Sequence, residues 1–309
     1  MSLTPTLLYV ENLPAASTRA DTHRMAYWLW QDPQCANPRH AVLCVHGLTR
    51  QGRDFDALAQ HLAKHVTVVC SDVVGRGQSD WLAQASLYGV PTYAVDHMGL
   101  IAQLKTQHGV ATLDWVGTSM GGLIGMALSS LPDGVLALPI RKLVLNDVGP
   151  TLSFEGLARI GQYVGKSKPF ESVQAAADAM WALSSGFGPH TPDQWLALSK
   201  PMVVQRDGQF VLHYDPSIAQ AFEGLSAPGA QALVEQGEAA LWAAYDAIRA
   251  PTLLLRGASS DLLSAQTAQA MCQRGPKATL HVLEGVGHAP TLIAADQQAV
   301  VRNFLLDCE

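Results

Sequence analysis

Short, mostly apolar runs alternate with helical patterns along the first half of the chain. Runs of this kind are typical of strands buried on both faces, as in a parallel sheet. Apolar positions three or four residues apart predict helices between them, at residues 55–65 and 93–107. The pattern therefore predicts an α/β fold with a mostly parallel central sheet and helices on both faces. The strand-like runs occupy residues 41–45, 66–70, 112–116 and 142–146, after an antiparallel opening at 7–10 and 24–30.

The pattern changes after residue 149. Helical periodicity then dominates residues 150–246, apart from a short hairpin predicted around Asp207-Gly208. Within this stretch, a Thr-Pro-Asp-Gln tetrad at residues 191–194 has the form of a capping box. Strand-like runs return at residues 251–255 and 278–283, and a final helix carries Val301, Phe304 and Leu305 on one face. We therefore predict a sheet domain (residues 1–149 and 247–309) interrupted by a helical cap (residues 150–246).

Composition narrows the class of protein. With 48% hydrophobic and 15% charged residues, the chain is typical of a globular enzyme rather than a disordered one. The net charge of −6 provides no basic surface for nucleic acid, and no apolar run is long enough to span a bilayer. The cysteines are odd in number and lack Cys-x-x-Cys spacing, which favours a reducing compartment, and Cys44 and Cys70 read as core residues. The start of the chain lacks signal-peptide features, so we expect a cytoplasmic protein.

The motif Gly-Thr-Ser-Met-Gly-Gly at residues 117–122 lies between a predicted strand and a predicted helix. A strand, a Gly-x-Ser-x-Gly turn and a helix in this order form a nucleophile elbow, which lifts the serine hydroxyl out of the sheet. Small residues must flank the serine because strand and helix nearly collide there. Alone, the motif is also compatible with a glycine-rich turn without chemistry. It needs a base and an acid elsewhere in the chain.

One residue fits each of these two roles. His288 follows the last predicted strand between glycine and proline, and Asp261 follows the strand before it. The carboxyl ends of strands in open α/β sheets carry the site, and the order Ser…Asp…His accompanies this elbow. Taken singly, His288 is a turn residue, and Asp261 or Ser264 is the N-cap of the next helix. Together they predict a catalytic triad of Ser119, His288 and Asp261.

The oxyanion hole is expected from two backbone N–H groups. One belongs to Met120, directly after the serine, and the other to Leu48 in the loop that follows the first buried strand. Gly47 allows that loop to approach closely. His46, at the strand end, is interpreted as a brace for the loop through hydrogen bonds rather than as a second base.

These pieces give the chain a resemblance to the α/β-hydrolase superfamily, over nearly its full length. His46-Gly47, a loop at residues 72–80, the elbow, Asp261 and Gly287-His288 carry the resemblance. The layout is similar to that of capped esterases, in which a helical lid follows the sixth strand. The resemblance implies that the catalytic acid follows the seventh strand, which matches Asp261. Some relatives use the preceding strand instead, where this chain has Asp147, otherwise interpreted as a hinge into the lid.

The resemblance implies hydrolysis of a carboxylic ester through an acyl-enzyme. Carbon–carbon cleavage or lactone hydrolysis on the same triad is an alternative, although Ala289 stands where C–C hydrolases often carry tryptophan. Dehalogenases and epoxide hydrolases of this superfamily place aspartate at the position of Ser119. A non-catalytic ligand receptor is an alternative of another class, since the fold is reused in that way.

The cap sequence suggests a small to medium, moderately apolar substrate. The tryptophans of the cap are interpreted as cap core or as the wall of an acyl pocket, and its cations as solvated residues or as partners of a carboxylate. No cofactor and no metal are expected, since the histidines are scattered outside any metal motif. A homodimer is possible. The cap tryptophans named above are Trp181, Trp195 and Trp242, and the cap cations are Arg159, Lys166, Lys168, Lys200 and Arg206.

Overall fold

A computed structural model describes residues 3–14 and 22–307. The strands are β1 (Thr6–Pro14), β2 (Thr22–Trp30), β3 (Asn37–Val45), β4 (Val66–Ser71), β5 (Thr112–Thr118), β6 (Ile140–Asn146), β7 (Val203–Arg206), β8 (Gln209–Leu212), β9 (Thr252–Gly257) and β10 (Thr279–Leu283). The α-helices are α1 (Asp56–Leu62), α2 (Val90–Gln107), α3 (Met120–Ser129), α4 (Phe154–Tyr163), α5 (Val173–Ser184), α6 (Pro192–Ser199), α7 (Ala230–Ala247), α8 (Ala265–Met271) and α9 (Ala295–Leu306).

The central sheet has eight strands in the order β1-β2-β4-β3-β5-β6-β9-β10. The pairs from β4 through β10 are parallel, whereas β1 and β2 pair antiparallel with each other and β2 pairs antiparallel with β4. This confirms the predicted α/β-hydrolase fold with its antiparallel opening. Because β3, β5, β6 and β9 run in the same direction side by side, the loops that follow them meet at one edge of the sheet.

Successive side chains of a strand face opposite sides of the sheet, and both sides are covered here. In β3, Leu43 and Val45 pack into one apolar cluster with α2 and α3, while Val42 and Cys44 pack into another with α1 and α9. Residues buried on both faces require apolar side chains at every position. This explains the continuous apolar runs of the sequence.

Between β6 and β9 lie residues 150–246, the stretch predicted to be a cap and called the cap below. It contains α4 to α7 and the hairpin of β7 and β8, whose turn at Asp207 and Gly208 confirms the predicted hairpin. Thr191 caps α6 through the predicted capping box with Gln194. Whether this region is a separate domain stays a prediction.

Helix ends differ modestly from the sequence pattern. The helix predicted from residue 93 begins at Val90, because a proline in the first turn needs no N–H partner and lets the helix start earlier. The helix predicted at residues 55–65 is shorter, since a 3-10 turn (Gly52–Phe55) precedes α1. Ser264, one of two candidate caps, accepts the N–H of Thr267 at the start of α8.

Two further expectations concern cysteines and membranes. Cys44 and Cys70 are fully buried, which confirms their interpretation as core residues, and Cys35 and Cys272 are also free thiols. Cys308 and the first two residues lie outside the described residues. Among the described residues, no helix combines the length and the apolar character needed to cross a bilayer.

Candidate active site

Ser119 lies in a strained turn between β5 and α3. Its φ is 51° and its ψ is −115°, a conformation that few non-glycine residues adopt. A Cβ on Gly121 would collide with the backbone carbonyl of Val45, and one on Gly117 would collide with the backbone of Gly121. The glycines are therefore required by close backbone contacts, as expected of a nucleophile elbow.

His288 lies in the loop after β10 and contacts Ser119. The hydroxyl of Ser119 lies 3.0 Å from Nε2 of His288, and Nδ1 of the same ring lies 2.7 Å from Oδ2 of Asp147. With Nδ1–H donating to the carboxylate, Nε2 is left as an acceptor for the serine proton. The arrangement is that of a nucleophile, a base and an acid in hydrogen-bond contact.

The prediction that Asp261 is the carboxylate partner of His288 is wrong, because Asp261 does not contact His288. It forms an ion pair of 2.7 Å with Arg159 of α4, and both side chains are partly exposed. Asp147 takes the expected place instead. β6 and β9 are neighbouring parallel strands, so both following loops reach the same edge. Asp147 is the first residue after β6 and points inward, whereas Asp261 lies four residues beyond the end of β9, where the loop has carried it outward.

Asp147 is fully buried and every contact it makes suits a carboxylate. Oδ1 accepts the N–H of Gly257 at 2.8 Å, and Oδ2 accepts the hydroxyl of Ser260 at 2.6 Å as well as the imidazole of His288. An ionised carboxylate is an acceptor only and can hold several donors at once. Its φ of 57° is favoured for aspartate over most residues. The sequence signal that pointed here was an aspartate directly at a strand end.

The two residues predicted to form the oxyanion hole lie beside Ser119. Met120 is the first residue of α3, and a Cβ on Gly47 would come within 3.7 Å of the Cβ of Ser119. Leu48 follows Gly47, and its carbonyl accepts Nε of the fully buried Arg76 at 2.8 Å. Arg76 also lies 3.6 Å from Sδ of Met120. Arg76 thus contacts both segments that carry the N–H groups of Leu48 and Met120. That these N–H groups form an oxyanion hole stays a prediction.

His46 is a brace, as predicted, and lies in a fully buried position. Nδ1–H donates to the carbonyl of Gly47 at 2.7 Å, and Nε2 accepts the N–H of Val73 at 2.9 Å. Burial lowers the pKa of His46 to about 3, so the ring stays neutral at physiological pH. Both nitrogens are occupied, which excludes His46 from serving as a second base in this arrangement.

The other polar residues of the 72–80 loop and of α2 hold the structure together. Asp72 accepts the N–H groups of Gly52 and Gln78, and burial raises its pKa to about 6. Asp80 pairs with Arg24 of β2. In α2, buried Asp96 pairs with His23, and Nε2 of His97 accepts the hydroxyl of Ser71.

A cavity of about 450 Å³ opens at Ser119 between the sheet edge and the cap. The sheet side contributes Leu48 and His288, and the cap contributes apolar residues such as Ile160, Met180 and Leu183. None of the three cap tryptophans lines it. Trp195 is buried against Trp181, and Trp242 packs on Tyr245, which favours the interpretation as cap core. In the described part of the chain, no cluster of three or more His, Cys, Asp or Glu residues is placed to hold a metal ion.

The sequence matches the family described as the alpha/beta hydrolase family over residues 42–303. It is 44% identical over 308 residues to the 3-hydroxybutyrate-oligomer hydrolase of Cupriavidus necator, a match that covers 98% of this chain and 99% of the relative.

Two solved structures are also similar to this chain. An alpha/beta hydrolase from Novosphingobium aromaticivorans is 34% identical, with a TM-score of 0.78 and 98% of each chain covered. The structure of E-2-(acetamidomethylene)succinate hydrolase has a TM-score of 0.76, covering 97% of this chain and 99% of its own, at 21% identity, which shows a shared fold.

Proposed function

The chain belongs to the alpha/beta hydrolase family, and from this premise we propose that it is a serine esterase with a triad of Ser119, His288 and Asp147. The observation that carries the proposal is the pair of hydrogen bonds through His288, 3.0 Å to Ser119 and 2.7 Å to Asp147. Asp147 replaces Asp261 in the acid role because Asp147 is the carboxylate in contact with the imidazole.

The reaction consists of two acyl transfers. Oγ of Ser119 attacks the ester carbonyl while Nε2 of His288 takes the serine proton, and the negative charge on the carbonyl oxygen is held by the N–H groups of Leu48 and Met120. The C–O bond then breaks, and the protonated ring donates its proton to the leaving alkoxide. Water next attacks the carbonyl of the acyl-enzyme with His288 as base, and the protonated ring returns the proton to Oγ of Ser119 as the bond to the acyl group breaks and the acid product leaves. Asp147 stabilises the imidazolium in both halves.

For the substrate, we propose the ester bonds of short linear oligomers of 3-hydroxybutyrate. The relative from Cupriavidus necator, named for hydrolysis of such oligomers, matches along almost its whole length. The cavity agrees with a chain of small acyl units, since its wall near Ile160, Met180 and Leu183 is apolar and its volume of about 450 Å³ is in the range of small-molecule sites.

The test compares the wild type with Ser119→Ala on the linear 3-hydroxybutyrate trimer and on p-nitrophenyl butyrate. Loss of the nucleophile is expected to reduce kcat by about 10⁶-fold on both. Ser86→Ala, an exposed serine in a 3-10 turn, serves as the matched control and is expected to retain wild-type rates. Turnover of both esters by Ser119→Ala at near-normal rate would exclude the proposed mechanism.

Adding a ring-fission dienoate and a lactone to these two esters separates the alternatives. Rapid turnover of a ring-fission dienoate with none of the esters would assign the triad to carbon–carbon hydrolysis. Stoichiometric labelling of Ser119 by a fluorophosphonate probe, with no turnover of ester, lactone or dienoate, would indicate a ligand receptor.

A further inference from the structure

The walls of the cavity carry more positive than negative charge, although the whole chain has a net charge of −6. Among the described residues that line it, Asp54 is the acidic side chain, and four are cationic. The sequence had left open whether the cap cations are solvated or meet a carboxylate. The structure places three of those five cap residues on the cavity wall, which also carries one arginine from outside the cap. The four cations are Arg50, Arg159, Lys166 and Lys168.

The two arginines already have carboxylate partners. Arg50 binds Asp54 through two bonds of 2.7 Å, and Arg159 pairs with Asp261 at 2.7 Å. The two lysines do not. Nζ of Lys166 donates to the neutral carbonyl of Gly161 at 2.9 Å, and within residues 3–14 and 22–307 the structure gives Lys168 no ion pair or side-chain hydrogen bond. The uncompensated positive charge of the cavity is therefore concentrated on these two lysines.

Both lysines belong to the turn between α4 and α5, residues 164–170, which we call the lysine turn. The rest of the cap holds this turn at both ends. Gly165 has a φ of 73°, its N–H donates to the hydroxyl of Tyr214 at 3.0 Å, and a Cβ there would meet the carbonyl of Pro216. At the other end, Phe170 and Phe210 exchange two backbone hydrogen bonds of 2.7 and 3.0 Å. The lysines are thus presented at the cavity by a fixed backbone.

We propose that Lys166 and Lys168 form a binding subsite for the free carboxylate of the substrate. This inference rests on the proposed function and specifies its substrate further. A linear oligomer of a hydroxy acid has a hydroxyl at one end and a carboxylate at the other. With the chain in the apolar part of the cavity and one ester at Ser119, the carboxylate end binds the lysine turn. The preferred substrates are therefore acid-terminated oligomers.

The strength of the subsite follows from its exposure. Both lysines are exposed, where a single ion pair contributes little and is screened by salt. Two lysines acting on one carboxylate are expected to favour the acid over its uncharged ester by about 5-fold in kcat/KM. Because ground state and transition state hold the carboxylate equally, the preference is expected in KM rather than in kcat.

The experiment compares the linear 3-hydroxybutyrate trimer as the free acid with the same trimer as its methyl ester. The two substrates share their internal ester bonds and differ in the terminal charge, so their kcat/KM ratio reports the subsite. Product analysis by mass spectrometry restricts the rates to cleavage of the internal esters. The enzymes are the wild type, the double variant Lys166→Gln/Lys168→Gln, and the control Lys64→Gln/Lys105→Gln. The control makes the same change of charge at exposed lysines outside the cavity lining.

We expect a ratio of about 5 for the wild type and for the control, and a ratio near 1 for the double variant of the lysine turn. Raising the salt from about 0.05 to about 0.5 M should reduce the wild-type ratio, because the Debye length shortens. A wild-type ratio near 1, or a ratio that the double variant leaves unchanged, would overturn the subsite while the esterase proposal stands. Failure of the wild type to cleave either trimer would instead overturn the proposed substrate, and the subsite with it.

Discussion

The sheet edge and the cap both face the cavity, but they are built differently. β4 and β9 are buried along their whole length, and the groups around Ser119 are held by backbone contacts that leave no space for a Cβ. In the cap, α4 buries Gly156 and Ile160 and α5 buries Ala176 and Ala177, and their other side chains are at least partly exposed where described.

This difference suits the sheet edge and the cap to different roles. Catalysis needs groups held to within a fraction of an ångström, and the sheet edge holds them through buried hydrogen bonds. Under the proposed function, selectivity for a flexible oligomer needs a wall of suitable polarity, which the exposed lysines and the partly exposed apolar residues of the cap would provide. Substitutions at the sheet edge should therefore have large effects and those in the cap small ones.

The largest contrast is expected between two aspartates. Asp147→Asn removes the charge that is proposed to stabilise the imidazolium, and under that proposal it should reduce kcat on p-nitrophenyl butyrate by about 10⁴-fold. Asp261→Asn breaks an exposed ion pair with Arg159 and should change kcat by less than about 5-fold. Thermal unfolding of both variants checks that each remains folded. The reverse order of effects would return the acid role to Asp261.

Gly121→Ala tests the close contact at the elbow. The new Cβ would meet the backbone carbonyl of Val45, which cannot move without displacing β3, so we expect a loss of about 3 kcal/mol or more in the free energy of unfolding. Urea denaturation measures this loss. A variant as stable as the wild type would show that the strand end adapts, contrary to a rigid sheet edge.

His97→Asn tests the buried polar groups behind the sheet edge. Burial lowers the pKa of His97 to about 4, below the value of about 6.5 for an unfolded histidine. The unfolded chain therefore binds the proton first, and the native state loses stability as the pH falls from 6.5 toward 4. Between pH 7 and pH 5 this group should account for about 2 kcal/mol of the loss.

Urea denaturation of His97→Asn at the two pH values should show a pH dependence smaller by about 2 kcal/mol than that of the wild type. His46 acts in the same direction and Asp72, with its raised pKa, in the opposite one, but both are present in both proteins. If the free energy of unfolding changes between pH 7 and pH 5 by the same amount in His97→Asn and in the wild type, the pKa of His97 is not lowered in the folded state.

The smallest effect is expected in the cap. Gly237 is an exposed interior residue of α7, and a Cβ there would have no neighbour within 4 Å. Gly237→Ala should stabilise the protein by about 0.5–1 kcal/mol because alanine loses less backbone entropy in a helix. Urea denaturation of both variants should therefore show that Gly237→Ala raises the free energy of unfolding and Gly121→Ala lowers it. Destabilisation by Gly237→Ala would show that this face of α7 does not tolerate a side chain at position 237.

Much of this architecture could be predicted from the sequence, because its signals are local. The apolar runs located β3 to β6, β9 and β10, and the small residues around Ser119 indicated the elbow. Thr191 and Gln194 indicated the capping box that is present at the N-terminus of α6. These features depend on residues close together in the chain, so one sequence is enough to read them.

The acid of the triad could not be chosen in this way. Asp147 and Asp261 both follow strands that end at the same edge, and their order relative to Ser119 and His288 is the same. What separates them is the direction of each side chain, which depends on the φ of 57° at Asp147 and on Arg159, 102 residues from Asp261 in sequence. The side of the cavity on which Lys166 and Lys168 lie likewise depends on how the cap packs.

The hydroxyl of Ser260 lies 2.6 Å from the carboxylate of Asp147, which itself lies 2.7 Å from the imidazole. One strand end thus supplies the acid and its neighbour supplies a donor to it, so the two loops share a single polar pocket behind His288. A mutation that introduces a carboxylate at position 260 would need to bridge only the length of a side chain. Under the proposed triad, a carboxylate on either strand end could therefore serve as the acid while the base and the nucleophile stay where they are.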